Sequence, residues 1–282
     1  MHMLRTPRIP LLAALTCFVG LAVTGVLAYF VPLARVRDAA ALQGFTALNR
    51  PRLTPLIDRI AHLADPLPYA IIGFTLAGVA LMRRRPRVAA AIVALLVRTG
   101  LTTRTLKPLL ASPRYDDWLG SGQIGAASWP SGHATAAMTL ALCAILAVPR
   151  RARPTAAAVG AAFAISVSYS ILALGWHFPS DVLGGFFVAT TWTLLVVAGL
   201  VRLEQHRPSG LRLEAKLRPA DALPSLALGL GAAAVGLAVW LARPGDVTRF
   251  AADHSTFVAG AGGIAALAVA LVVVLARGVR SA

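Results

Sequence analysis

Two short strings hold the residues best suited to chemistry: Trp129-Pro130-Ser131-Gly132-His133 and His177-Phe178-Pro179-Ser180-Asp181. Lys107 and Arg114 stand just upstream of the first. Two imidazoles, a carboxylate and a pair of fixed cations are the parts needed to cleave a phosphate ester. Imidazoles serve as nucleophile and as proton donor. Cations hold a phosphoryl group in transfer, whose charge spreads over its oxygens.

Each string also carries its own local geometry. Pro130 and Ser131 open a helix, and a helix start presents free N–H groups and the positive end of the dipole. Phosphate is well held there. Ser131 adds a hydroxyl donor, and Gly132 lets an anion approach the backbone closely. The same residues also suit an ordinary helix start, with His133 as an interfacial polar group. His177 and Asp181 stand at i and i+4, so at the start of a helix they can face each other. A carboxylate accepting from one imidazole nitrogen fixes the tautomer and leaves the other nitrogen free to attack. Asp181 serves equally well as a plain helix cap. Lys107 and Arg114 fit a snorkelling pair at a helix end just as well. Arg98 and Arg104 share the Lys107 run, and Arg98, the deeper of the two, is harder to read as a simple anchor.

The elements that must position these residues are apolar. The chain has 282 residues, of which 57% are hydrophobic and 13% charged. A soluble domain carries roughly a quarter charged residues. The net charge of +16 does not point to nucleic acid, because the arginines cluster in short loops between apolar runs, as topology signals do. Cys17 and Cys143 both lie in apolar runs, so no disulfide framework and no metal-site spacing is expected.

Eight runs approach the roughly 20 apolar residues that a bilayer crossing needs: 9–33, 66–82, 88–107, 132–148, 155–175, 180–202, 222–242 and 256–276. The first is too long for a signal-peptide core and reads as a retained helix. If all eight cross, Arg5 and Arg8, the loop Arg83 to Arg87, the loop Arg150 to Arg153, the segment Arg202 to Arg218, and Arg277 and Arg280 share one side. The positive-inside rule makes that side cytoplasmic. Residues 34–65, 108–131 and 176–179 then lie on the other. The first of these carries Leu53, Leu56, Ile57, Ile60 and Leu63 at helical intervals. It reads either as an amphipathic helix in the outer interface or as an ordinary solvated loop helix. Gly229, Gly231, Gly236, Gly260, Gly262 and Gly263 predict close helix packing in the last two runs. Domain boundaries follow: a six-helix core over 1–202, a cytoplasmic linker over 203–221, and a two-helix transmembrane extension over 222–282.

Taken together, the polar residues resemble the membrane-bound type-2 phosphatidic acid phosphatase (PAP2) superfamily. Its pattern is Lys, six residues, Arg-Pro; then Pro-Ser-Gly-His; then Ser-Arg, five residues, His, three residues, Asp. Lys107 and Arg114 match the first part, with Tyr115 where Pro is usual. Pro130, Ser131, Gly132 and His133 match the second, and Ser170, His177 and Asp181 the third. Ile171 stands where the family has a phosphate-holding Arg. The fold implied is all-α, a polytopic transmembrane bundle with a PAP2-like core of six helices plus two C-terminal ones.

The resemblance implies a metal-independent hydrolase without cofactors, and the Ala- and Arg-rich composition without a disulfide framework suits a bacterial plasma membrane. The hydrolase would remove phosphate from a lipid phosphate or diphosphate at the extracytoplasmic face. His177 would be the nucleophile, held by Asp181, and form a phosphohistidine. His133 would be general acid and then base. Lys107, Arg114, Ser131 and Gly132 would bind the phosphoryl oxygens. Two alternatives stay open: a lipid phosphotransferase, and a non-catalytic lipid-phosphate binder, the latter because of Ile171. The expected partners are the lipid substrate and the membrane, and no oligomeric state follows.

Overall fold

Proline sets the punctuation of this chain. The computed structural model describes residues 6–113, 124–208 and 218–278. Among them the chain forms eleven α-helices: α1 (Arg8–Phe30), α2 (Pro32–Ala47), α3 (Thr54–His62), α4 (Pro66–Met82), α5 (Pro86–Leu109), α6 (Gly132–Ala147), α7 (Arg153–Ala173), α8 (Pro179–His206), α9 (Leu223–Ala242), α10 (Pro244–Asp253) and α11 (Ser255–Gly278). Most open on a proline in the first turn. There the missing N–H costs nothing and the fixed φ already suits a helix. Short 3₁₀ turns, Arg150–Ala152 and Pro219–Ala222, precede α7 and α9.

Each of the eight expected crossings falls on a helix. Six helices are long and apolar enough to span a bilayer, or seven if the bent α3–α4 pair is one span. α6 is shorter, with 16 residues. That is about 24 Å of helix against a hydrocarbon layer of about 30 Å. Its start, which carries Gly132 and His133, lies level with the first turn of α8, where the Ser131 N–H meets the Asp181 carbonyl at 2.9 Å.

Three details differ from the sequence reading. The first helix stops at Phe30 rather than Leu33, because Pro32 pushes Val31 into an extended conformation (φ −108°, ψ 103°). The segment 34–65 holds two helices, and its periodic apolar positions belong largely to α3. α2 is separate and buries Leu42 and Phe45 against the bundle. α10 has no counterpart in the sequence reading, because its ten residues are mostly polar or small.

α6 is the hub. It is buried along most of its length and packs against α4, α5, α7 and α8. α1 lies along α8, and α11 lies against α7 and α2. α9 touches α7 but buries none of its residues. The close packing expected at Gly229, Gly231, Gly236, Gly262 and Gly263 is not found: the position of a Cβ at each of these has nothing within 4 Å. Among the described residues their small faces have no partner helix at that distance. Gly260 alone of the set meets a neighbour, Ala41 Cβ at 3.3 Å.

The basic loops gather at one end. Arg83 donates to the Ala147 carbonyl at 2.6 Å, at the last turn of α6. Arg87 donates to Glu204 at 2.9 Å and to the Arg207 carbonyl at 2.7 Å, at the end of α8. Carbonyls in the last turn of a helix lack intrahelical partners, and arginine satisfies them. This lacing fixes the starts and ends of four helices in one plane and leaves the candidate residues at the opposite end.

There α6 and α8 approach very closely. An added Cβ at Gly185 would stand 2.8 Å from the Ser131 carbonyl oxygen and 2.9 Å from the Thr135 amide nitrogen. Both obstacles are backbone, so neither can swing aside. Gly→Ala inside a helix ordinarily gains about 1 kcal/mol. Gly185→Ala is instead expected to cost roughly 1–3 kcal/mol through overpacking. A thermal melt in detergent reads the sign, and a raised Tm would contradict the close approach.

Candidate active site

The carboxylate end of the site is built locally. α7 ends in a double hydrogen-bonded turn. The Gly175 N–H donates to the Leu172 carbonyl and the Trp176 N–H to the Ile171 carbonyl, both at 2.9 Å. Gly175 has φ 71°, which glycine adopts at no steric cost. This turn delivers Trp176 and His177 to the start of α8. Asp181 is fully buried at the third position of that helix, and its Oδ2 accepts from the Phe178 N–H at 3.0 Å. The same oxygen lies 3.2 Å from His177 Nδ1. Helix cap and imidazole partner, alternatives in the sequence, are one arrangement here. With Nδ1 turned to Asp181, Nε2 is the nitrogen left for chemistry.

The second histidine sits one helix away. Ser131 caps α6, its Oγ accepting from the Ala134 N–H at 3.3 Å. The Ser131 N–H donates to the Asp181 carbonyl at 2.9 Å, which ties the two strings together. Ser131 is fully buried, and a hydroxyl that accepts can still donate its proton. Nothing lies within 4 Å of a Cβ position at Gly132, so the helix start faces open space. The His133 and His177 rings are 6.4 Å apart, centroid to centroid. Trp176 packs against His133 at 5.5 Å and against His62 at 5.5 Å.

A cavity of about 570 Å³ opens in front of the α6 start. Asp65, Arg104, Lys107, Gly132 and His133 form its polar end. Tyr69, Leu96, Val97 and Leu101 line it farther down. Leu96 lies three turns along α5 from Lys107, about 16 Å by helix geometry. The cavity reaches His133 but not His177 or Asp181, which are buried just behind it.

The cations divide. Lys107 is in the cavity wall, as the motif spacing leads one to expect. Arg114 lies outside the described residues, as does Tyr115. Of the two arginines that share α5 with Lys107, Arg104 lines the cavity. Arg98 instead stacks over Trp192 of α8, 5.2 Å from the ring. Ile171 is fully buried in the apolar core. Its carbonyl belongs to the turn ahead of His177, and its side chain brings no charge to the site.

Sequence reasoning misses Asp65 and His62. Asp65 precedes Pro66 at the start of α4, which is readable as a helix start, but its partner is long-range. His133 Nε2 is 3.0 Å from Asp65 Oδ1, and His62 Nδ1 is 2.8 Å from Asp65 Oδ2. Burial pushes the Asp65 carboxyl up, but the hydrogen bonds with His133 and His62 outweigh it and hold the group below the usual carboxylate range. Asp65, chiefly through its hydrogen bond, raises the His62 imidazole above its ordinary value.

A family model, the PAP2 superfamily, matches residues 85–204. The fold is similar to the crystal structure of a transmembrane PAP2-type phosphatidylglycerolphosphate phosphatase from Bacillus subtilis. Identity is 22%, the match covers 71% of this chain and 98% of that one, and the TM-score is 0.50. No curated protein matches the chain. The family match encloses Lys107, the α6 start, His177 and Asp181, so this region of the chain is similar to the PAP2 superfamily.

Proposed function

We propose that this membrane protein is a metal-independent lipid phosphatase that works through a phosphohistidine at its extracytoplasmic face. The observation that carries the proposal is the pairing of two imidazoles, 6.4 Å apart, one held by a buried carboxylate and the other at a helix start facing a cationic cavity. Nε2 of neutral His177 forms a bond to phosphorus as the phosphorus–oxygen ester bond breaks. Protonated His133 gives its proton to the leaving oxygen. Water then attacks phosphorus, His133 takes a proton from it, the nitrogen–phosphorus bond breaks, and inorganic phosphate leaves. Lys107, Arg114, Ser131 and the free N–H groups at Gly132 bind the phosphoryl oxygens throughout.

The cavity supports a lipid phosphate or diphosphate as substrate class. Its polar end suits the headgroup, and its apolar wall along α4 and α5 suits the first part of a tail. The positive-inside reading supports the extracytoplasmic face, since the basic loops are at the other end. Residues 203–206, read from sequence as linker, complete α8, so we assign the chain through α8 to the catalytic core, with α9 to α11 added after it and α11 packed on α2 and α7. The buried Ile171 favours one rival, a protein that binds lipid phosphate and releases none.

Phosphate release from a panel of lipid phosphates, by purified protein in detergent with EDTA, separates these readings. Turnover is expected to survive EDTA and to follow a bell-shaped pH profile between roughly pH 5 and pH 9, since His177 must be neutral and His133 protonated. Binding without release would favour the rival. A second comparison tests Arg104 as the compensating cation. Arg104→Ala is expected to lower kcat/KM by roughly 10²-fold, the scale of one fixed donor to a transition-state oxyanion. Arg98→Ala is expected to leave it within a few-fold. Equal losses, or the reverse order, would refute the assignment.

A further inference from the structure

Each imidazole of the pair has its own carboxylate, and the second carboxylate has a second histidine behind it. Asp65 Oδ1 is 3.0 Å from His133 Nε2, and Asp65 Oδ2 is 2.8 Å from His62 Nδ1. The two ends differ in exposure: the His133 side chain is 26% exposed and the His62 side chain 50%. Trp176 packs against both rings and closes the gap between them.

We propose that Asp65 is the positioning residue for His133, and that His62, sharing the same carboxylate, moderates its effect. The inference rests on the phosphatase reading above. Asp65 turns His133 Nε2 away from the reaction, so Nδ1 is the nitrogen that gives and takes the proton at the scissile oxygen. After donation the neutral ring keeps its hydrogen on Nε2, bonded to Asp65, so the tautomer needed to accept a proton from water is already in place. The carboxylate also favours the charged ring that starts the cycle. His62, when protonated, draws on the same carboxylate and weakens that help.

The other groups facing this chain are few. Among the described residues, Lys107 and Arg104 share the cavity wall with His133, and His177 faces it from the start of α8. Asp58 lies 3.4 Å from the far nitrogen of His62. Among the described residues, Asp65 is the carboxylate within hydrogen-bonding reach of His133.

The test is a set of pH profiles of kcat and KM on dioctanoyl phosphatidic acid for the full-length protein in detergent. Asp65→Asn is expected to lower kcat by roughly 10- to 100-fold, less than the 10²–10⁴ that the whole general acid–base residue supplies, with KM little changed. Its alkaline limb should move to lower pH by about one unit, while the acid limb, set by His177, stays. Asp65→Glu should restore the alkaline limb. His62→Gln should move that limb slightly the other way. A fall in kcat with both limbs unmoved, and no rescue by Asp65→Glu, would mean that Asp65 merely holds α4 against α6, and would overturn the proposal. NMR of histidine-labelled protein decides the same point without turnover. The His133 resonances should titrate at lower pH in Asp65→Asn than in the unaltered protein, and an unchanged midpoint would overturn it. An unaltered protein that releases no phosphate would defeat the phosphatase reading alone and leave the NMR result standing.

Discussion

His177→Ala is expected to abolish phosphate release, with a loss of roughly 10⁴- to 10⁶-fold in kcat, while lipid binding persists. The scale follows from the role. Where a covalent step is lost, only binding and charge stabilisation remain, and the loss of a nucleophile in comparable two-step hydrolases costs about 10⁶. His177 is suited to that loss because little else depends on it. It is 6% exposed, it follows the Gly175 turn, and among the described residues its side chain pairs with Asp181. The fold should survive the change. Phosphate release by the variant at more than about a hundredth of the normal rate would exclude His177 as the nucleophile.

Asp181→Asn is expected to cost about 10³-fold in kcat with little change in Tm. Its Oδ2 accepts from the Phe178 N–H and lies 3.2 Å from His177 Nδ1. An asparagine oxygen can occupy the same place, so the cap is kept. The charge is not. A ring bonded to phosphorus is cationic, and the buried negative partner favours it. In the Ser-His-Asp template the matching exchange costs about 10⁴. Asp181→Ala should add a structural penalty of about 1 kcal/mol or more, because the Phe178 N–H loses its acceptor inside the bundle. Activity lost in both variants but Tm lost only in the second is the expected pattern. Full activity in Asp181→Asn would show that charge at this position is irrelevant.

What was legible in the sequence was local. Pro130, Ser131 and Pro179 mark helix starts, and a cap acts within four residues, so the α6 and α8 boundaries could be read directly. His177 and Asp181 are one turn apart, so their pairing was readable too. The basic loops gave the common side of the helix ends. What was not legible was non-local. Asp65 precedes His133 by sixty-eight residues, and no periodicity links them. Arg98 and Arg104 both lie on α5, and depth alone favoured Arg98. At 100° per residue they point to different faces, and only the packing of α8 and the placement of the cavity say which is which. The glycines of α9 misled for a similar reason. Small residues permit close packing, but nothing in the sequence says that a partner is present.

The most direct test is to trap the covalent species. Protein incubated briefly with a ³²P-labelled lipid phosphate and quenched in alkali should carry label that is stable to base and released by acid, as a phosphoramidate is. The label should map to the peptide containing His177 and be absent from His177→Ala. Turnover with no labelled protein under any of these conditions, or label on a different residue, would contradict a phosphohistidine at His177.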